Sequence, residues 1–135
     1  TCSTALSCLR VGIPAFHYMV AVAGGPDIRC AGYATFGTAA LSRAMLAAME
    51  GRSACLLANH GVVAVGSSLT DALARAVEVE TLAKQYWIAR TLGAPVVLPD
   101  EEMAAVLARF RSYGRQAAER DPDDPHAIEM PVRRG

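Results

Sequence analysis

The chain has 135 residues, of which 53% are apolar, a size that suits a single compact domain of roughly 100 to 200 residues. Its 13 basic residues balance its 13 acidic ones, which argues against nucleic acid or an anionic membrane as a partner. No apolar run approaches the roughly 20 residues that cross a bilayer, and the four cysteines lack CxxC spacing, so we expect a cytoplasmic protein with reduced thiols.

Helix and strand signals alternate along the chain, which predicts an α/β fold with helices covering a sheet. Thr38, Ser68 and Asp100 are suited to cap the starts of three helices, and Gly51 and Gly93 follow the ends of two. Short runs rich in branched or aromatic side chains are typical of buried strands. The predicted elements are helix 4–10, strands 17–23 and 28–33, helix 39–50, strands 54–58 and 62–65, helix 69–92, an extended stretch 95–98 and helix 101–113.

The two ends of the chain differ from its centre. Residues 117–135 are rich in proline and charge, so we expect a mobile tail there, with His126 in solvent. At the other end the chain enters a helix-like segment without a methionine or a capping run. The chain therefore looks like the middle of a protein, and we expect an N-terminal part to be missing.

The motif Asn59-His60-Gly61 lies between two apolar strands. A histidine at such a tight turn is held rigidly at a sheet edge, which suits a metal ligand or a general base. Turn histidines also commonly bond only to backbone, so the motif needs support from the rest of the chain.

Several further motifs occur in a defined order and provide that support. They are Ile13-Pro14-Ala15-Phe16-His17-Tyr18-Met19, Ala23-Gly24-Gly25 and Tyr33-Ala34-Thr35-Phe36-Gly37-Thr38, followed by Asn59-His60-Gly61. Together they resemble the class II aldolase/adducin family over nearly all of residues 2–116, which implies that residues 1–116 are the C-terminal two-thirds of the family domain. This resemblance implies a three-layer α/β/α fold, a homotetramer and a zinc ion. It also implies cleavage of a ketose 1-phosphate, such as L-fuculose 1-phosphate, into dihydroxyacetone phosphate and an aldehyde.

The resemblance also implies roles for individual residues. His60 matches the third histidine ligand of zinc, Tyr18 a tyrosine that reaches the substrate across a subunit interface, and Tyr113 a proton donor. A phenol is protonated at neutral pH, so both tyrosines suit proton donation. Phe36 and Phe110 match apolar walls beside the aldehyde part. The His-x-His pair and the proton-shuttling glutamate of the family are expected upstream of Thr1, so we expect the isolated chain to be inactive.

Other interpretations stay open at this stage. The same fold supports a pentulose-5-phosphate 4-epimerase, a methylthioribulose-phosphate dehydratase and a non-catalytic adducin-like module. The tyrosines and phenylalanines could simply pack, and His17 is expected to be structural. Glu78 and Glu80 lie two residues apart on a predicted helix, which does not favour a paired-carboxylate site.

Overall fold

The computed structural model describes residues 1–112, and the predicted tail 117–135 and His126 lie outside them. Within this range none of the helices is long and apolar enough to span a membrane. The elements, in chain order, are α1 (Cys2–Cys8), a 3₁₀ helix (Tyr18–Ala23), β1 (Cys30–Ala31), α2 (Ala39–Met49), β2 (Ala54–Leu57), β3 (Gly61–Ala64), α3 (Leu69–Leu92) and α4 (Asp100–Ser112).

The three strands form a mixed sheet in the order β1-β2-β3. β1 pairs with β2 in parallel, and α2 makes the crossover between them that a parallel pair requires. β2 and β3 form an antiparallel hairpin. Because successive residues of a strand point to opposite faces, β2 contributes to two separate cores.

These two cores define three layers. On one face, Ala54 and Leu56 belong to a cluster with buried residues of α1, α3, α4 and the 3₁₀ helix. On the other face, Cys55 and Leu57 pack with α2. The predicted three-layer α/β/α arrangement is therefore confirmed.

Local capping signals place the helices as predicted. The Thr38 side chain accepts a hydrogen bond from Leu41 N–H at 3.2 Å at the start of α2, and Ser68 accepts one from Asp71 N–H at 3.1 Å at the start of α3. Each bond satisfies an N–H that has no partner inside the helix. The fourth helix begins at Asp100 itself, one residue earlier than predicted.

The predicted strand over residues 17–23 is wrong, because this segment forms the 3₁₀ helix. His17 caps its start by accepting a hydrogen bond from Met19 N–H on Nδ1 at 3.3 Å, and Gly24 ends it with φ +90°. Val20 and Ala23 are fully buried between helices rather than in the sheet. Apolar composition alone does not separate a buried strand from a short buried helix.

The other differences are shifts in extent. Of predicted strand 28–33 only Cys30–Ala31 is a strand, and Ile28 instead forms an isolated bridge with Ile13. Stretch 95–98 pairs with no strand, although Leu98 N–H donates to the Ala15 carbonyl at 2.8 Å. The first helix lies two residues earlier than predicted. Such short elements depend on their tertiary partners more than on local propensity.

Glu80 of α3 holds the N-terminal end of α1. Its Oε1 accepts hydrogen bonds from the Thr1 amino group at 2.6 Å and from Cys2 N–H at 2.5 Å. Its Oε2 accepts from Ser3 N–H at 3.0 Å and from the Ser3 hydroxyl at 2.5 Å. Partial burial raises the pKa of Glu80, but the hydrogen bonds from Thr1, Ser3 and Cys2 outweigh it and lower the pKa to about 2.

We expect the variant Glu80→Gln to lower the free energy of unfolding at pH 7 by about 1 to 2 kcal/mol. This loss is smaller than the full pKa shift of Glu80 would give, because over a third of the side chain is exposed and solvent screens its charge. Because the pKa of Glu80 is lower in the folded protein, its carboxylate stabilises the fold at pH values above 4.5. This stabilisation is lost as the pH falls from 4.5 through about 2. Urea unfolding across this range measures the difference. Glu78→Gln is the control, and a deficit in Glu80→Gln that stays constant down to pH 2 would contradict the assignment.

Candidate active site

The turn that carries His60 has a fixed backbone. His60 N–H donates to the Leu57 carbonyl at 2.9 Å, which closes a four-residue turn after β2. Asn59, the third residue of this turn, has φ +59°. Turns of type II require positive φ at that position, which asparagine tolerates better than most residues. The Asn-His-Gly sequence therefore suits the turn that presents the imidazole.

This turn is docked on the C-terminal end of α1. Asn59 N–H donates to the Ser7 carbonyl at 3.0 Å, and the Asn59 side chain accepts from Arg10 Nε at 2.9 Å. A Cβ added at Gly61 would lie 3.4 Å from the Thr4 hydroxyl, so α1 approaches the turn closely. The position of His60 is consequently set by α1 as well as by the hairpin.

One imidazole nitrogen of His60 already has a partner. Nε2 lies 2.8 Å from the Ala34 carbonyl oxygen. A carbonyl can only accept, so Nε2 donates to it, and in the neutral imidazole Nδ1 is then the nitrogen with the lone pair. This is the arrangement found in many metal sites, where a ligand histidine donates its other N–H to a carbonyl group.

An aromatic and a cationic side chain cover the His60 ring. The Tyr33 ring stacks on the imidazole with 5.5 Å between centroids and an interplanar angle of 11°. The guanidinium carbon of Arg10 lies 5.6 Å from the centroid of the Tyr33 ring. The stack therefore runs from Arg10 over Tyr33 to His60. The hydrogen bond from Arg10 to Asn59 connects this stack to the turn.

Tyr18 and Phe110 lie together in a different place. They line a cleft of about 400 Å³ with Met19, Val106 and Arg109. The cleft forms where α4 packs on the 3₁₀ helix. Tyr18 is 50% exposed, so its ring can be reached from outside the chain. The structure thus brings together two of the residues singled out from the sequence.

The remaining predicted residues are not gathered into one site. Phe36 is 80% exposed, in the loop that leads from β1 to α2. Across residues 1–112, no hydrogen bond or ring contact connects His60 with Tyr18, Phe36 or Phe110. Tyr113 lies just outside the described residues. Within those residues, His60 is also not part of any group of three potential metal-ligating side chains.

Sequence reasoning does not single out Arg10 and Tyr33 as contacts of His60. The signal that points to Tyr33 is topological. β1 and β2 are parallel, so the segments that follow their carboxyl ends meet at one sheet edge, where sites in open α/β sheets commonly form. Tyr33 follows β1 and His60 follows β2, but only the parallel pairing makes them neighbours.

Comparison with known proteins identifies relatives along most of the chain. The family model for the class II aldolase and adducin N-terminal domain matches residues 1–87. A 5-methylthioribulose-1-phosphate/5-deoxyribulose-1-phosphate aldolase of Rhodospirillum rubrum is 60% identical over 115 residues, which are 85% of this chain and 52% of the relative. An L-fuculose phosphate aldolase of Escherichia coli is 49% identical over 117 residues, 86% of this chain and 54% of the relative.

A solved structure agrees with these sequence matches. An L-fuculose 1-phosphate aldolase superimposes with a TM-score of 0.79 at 51% identity, covering 82% of this chain and 52% of that protein. The chain spans about half the length of the curated relatives it matches.

We expect Asn59→Val to lower the free energy of unfolding by at least about 1 to 2 kcal/mol, the penalty of a left-handed conformation for most L-residues, with a further loss of the bond to Arg10. Asn59→Gly is the matched control, because glycine adopts positive φ freely but also lacks the side-chain bond. Urea unfolding of both variants gives the comparison. Equal stability of the two would show that the backbone of Asn59 does not constrain the turn.

Proposed function

The chain belongs to the class II aldolase and adducin family, and from that membership we propose that it acts in a zinc-dependent lyase. The proposed reaction cleaves a ketose 1-phosphate into dihydroxyacetone phosphate and an aldehyde. The observation that carries the proposal is the His60 turn, which leaves Nδ1 available beside a fixed Nε2 hydrogen bond. The names of the aldolase relatives support the same reaction class.

His60 is proposed as one of the zinc ligands. Its donor chemistry fits, because a neutral imidazole nitrogen is a common ligand of zinc. Catalytic zinc sites use three protein ligands, and residues 1–112 contain no group of three potential ligands. The other donors are therefore proposed to come from outside the described residues. When bound, zinc supplies Lewis-acid stabilisation of negative charge on the carbonyl side of the broken bond.

Tyr18 is proposed to donate a proton or a hydrogen bond to the reacting substrate, and Tyr113 is proposed as a second donor. This role is supported by the position of Tyr18, which is half exposed and lines a cleft. Since no described contact joins Tyr18 to His60 within one chain, we propose that the two meet between protomers of a homotetramer. The bound substrate is then held by groups of two chains.

The cleft also supports a proposal for the substrate. Met19, Val106 and Phe110 give it apolar walls, and such walls favour an apolar group over a hydroxyl. We place the far end of the aldehyde part there, carrying a methyl or methylthio group. The similarity to an aldolase named for 5-methylthioribulose and 5-deoxyribulose 1-phosphates agrees with this choice. Phe36 is proposed as a further apolar contact of the aldehyde part.

The metal proposal is tested by zinc content. We expect the natural gene product to retain about one zinc per chain after dialysis against metal-free buffer, and His60→Ala to retain less than about a tenth, because losing one of three ligands weakens a zinc site strongly. His17→Ala is the matched control, since His17 caps the 3₁₀ helix with its own Nδ1. Elemental analysis gives the ratio. Unchanged zinc in His60→Ala would remove His60 from the site.

The cleft proposal is tested by kinetics of the natural gene product, because the isolated chain is expected to be inactive. We expect Tyr18→Phe to lower kcat by about 100-fold, the effect typical of a lost proton donor. Phe110→Ala should raise KM for a 5-methylthio substrate by about tenfold, as expected for lost apolar contact, and should have less effect on a 5-hydroxy substrate. Leu92→Ala, at a side chain that is 84% exposed, is the control. Equal KM changes for both substrates would argue against an apolar subsite in this cleft.

A further inference from the structure

Tyr18 lies at the first position of the 3₁₀ helix Tyr18–Ala23. The first N–H groups of a helix have no partner inside it and must be satisfied from outside. Here the Val20 N–H donates to the His17 carbonyl at 3.1 Å, and the Met19 N–H donates to Nδ1 of the His17 side chain at 3.3 Å. The turn that carries Tyr18 is therefore closed by both the backbone and the side chain of His17.

The far end of the same helix is held by other residues. The Val22 carbonyl accepts a hydrogen bond from Arg75 Nε of α3 at 3.2 Å and another from the Ser53 hydroxyl at 3.3 Å. These bonds do not involve the imidazole. Loss of the His17 side chain would therefore loosen the end that carries Tyr18 while the other end stays in place.

Ring contacts connect the His17 imidazole to the core. The centroid of the Phe16 ring lies 6.1 Å from that of the imidazole and 5.2 Å from that of Tyr86, a residue of α3 that is only 8% exposed. The imidazole also contacts the Tyr18 ring, with 4.8 Å between centroids. These separations are typical of aromatic pairs. His17 thereby connects the exposed ring of Tyr18 to buried residues.

The exposure of Tyr18 makes this connection important. A residue that is half exposed is not confined to one rotamer by burial. A proton donor must nevertheless lie within hydrogen-bond reach of the atom that it protonates, and a displacement of about 1 Å can lower the rate strongly. The cap from His17 fixes the backbone from which Tyr18 extends, and the ring contact adds a restraint on its side chain.

We propose that His17 is a positioning residue for Tyr18, which acts mainly through the cap that its Nδ1 provides to the 3₁₀ helix. The proposal rests on the role of Tyr18 as a donor in the proposed function. His17 touches neither the substrate nor the metal in this proposal. A residue that only stabilised the fold would affect turnover equally with and without the Tyr18 hydroxyl.

Turnover of the natural gene product tests the proposal. We expect His17→Ala and His17→Phe to lower kcat by about tenfold, less than Tyr18→Phe does, because the donor is displaced rather than lost. His17→Asn should keep kcat within about threefold of the natural value, because asparagine is among the best helix-capping residues. Ser68→Ala removes the cap of α3 instead. It is the matched control, and its kcat should not change.

Double variants show whether His17 acts through Tyr18. In the Tyr18→Phe background, His17→Ala should lower kcat by less than about twofold, because no hydroxyl remains to be positioned. A further tenfold loss in that background would overturn the proposal. A kcat of His17→Asn as low as that of His17→Ala, or an equal loss in Ser68→Ala, would overturn it as well.

Hydrogen–deuterium exchange of peptides covering residues 17–23 gives a measurement that needs no activity. We expect exchange about fivefold faster in His17→Ala and His17→Phe, and natural rates in His17→Asn, as for a lost and a restored cap. Unchanged exchange in His17→Ala would overturn the positioning role, whatever the kinetics show. Exchange as expected, in a protein whose natural form cleaves no ketose 1-phosphate, would support the hold of His17 on the Tyr18 turn and overturn the proposed function.

Discussion

The position of α1 is the constraint on which the candidate site depends. A helix of seven residues is too short to persist on its own, so its place must be set by tertiary contacts. Glu80 of α3 holds its first turn through four hydrogen bonds. At the other end the Ser7 carbonyl accepts from Asn59 N–H. The hairpin turn with His60 is thereby connected through α1 to α3, the longest helix, and its position does not rely on the hairpin alone.

The parallel pairing of β1 and β2 is the second requirement. It brings the loop after β1 to the same sheet edge as the turn after β2, so Ala34 and His60 come into hydrogen-bond contact although they are 26 positions apart. The crossover helix α2 packs on the opposite face from α1 and α3, and Tyr33 at this edge is 53% exposed. A rigid sheet edge with two loops is a common way to present functional groups on an ordered scaffold.

The features predicted correctly from the sequence are those that neighbouring residues determine. The caps at Thr38 and Ser68 and the strands on either side of His60 depend on neighbouring residues, and the structure confirms them. Segment 17–23 illustrates the opposite case, because its apolar residues suit a strand while His17 and Gly24 close a 3₁₀ helix between α3 and α4. The stack of Tyr33 on His60 needs the pairing of β1 with β2, which no local pattern specifies. The family resemblance pointed to His60, Tyr18 and Phe110, but not to the contacts that Tyr33 and Arg10 make with His60 and its turn.

His60 and Tyr18 are held in different ways, and this difference bears on the roles proposed for them. His60 is restrained by its backbone turn, by the Ala34 carbonyl and by the Tyr33 ring, as expected of a group that must define one geometry. The Tyr18 ring contacts His17, at 4.8 Å between centroids, and lines the cleft with Phe110, but half of the residue is exposed. Bond cleavage beside a carbonyl requires charge stabilisation and proton transfer at one place. In the proposed function, a rigid ligand and an exposed proton donor would satisfy that requirement if the donor came from a neighbouring chain, because an exposed side chain can reach a second surface.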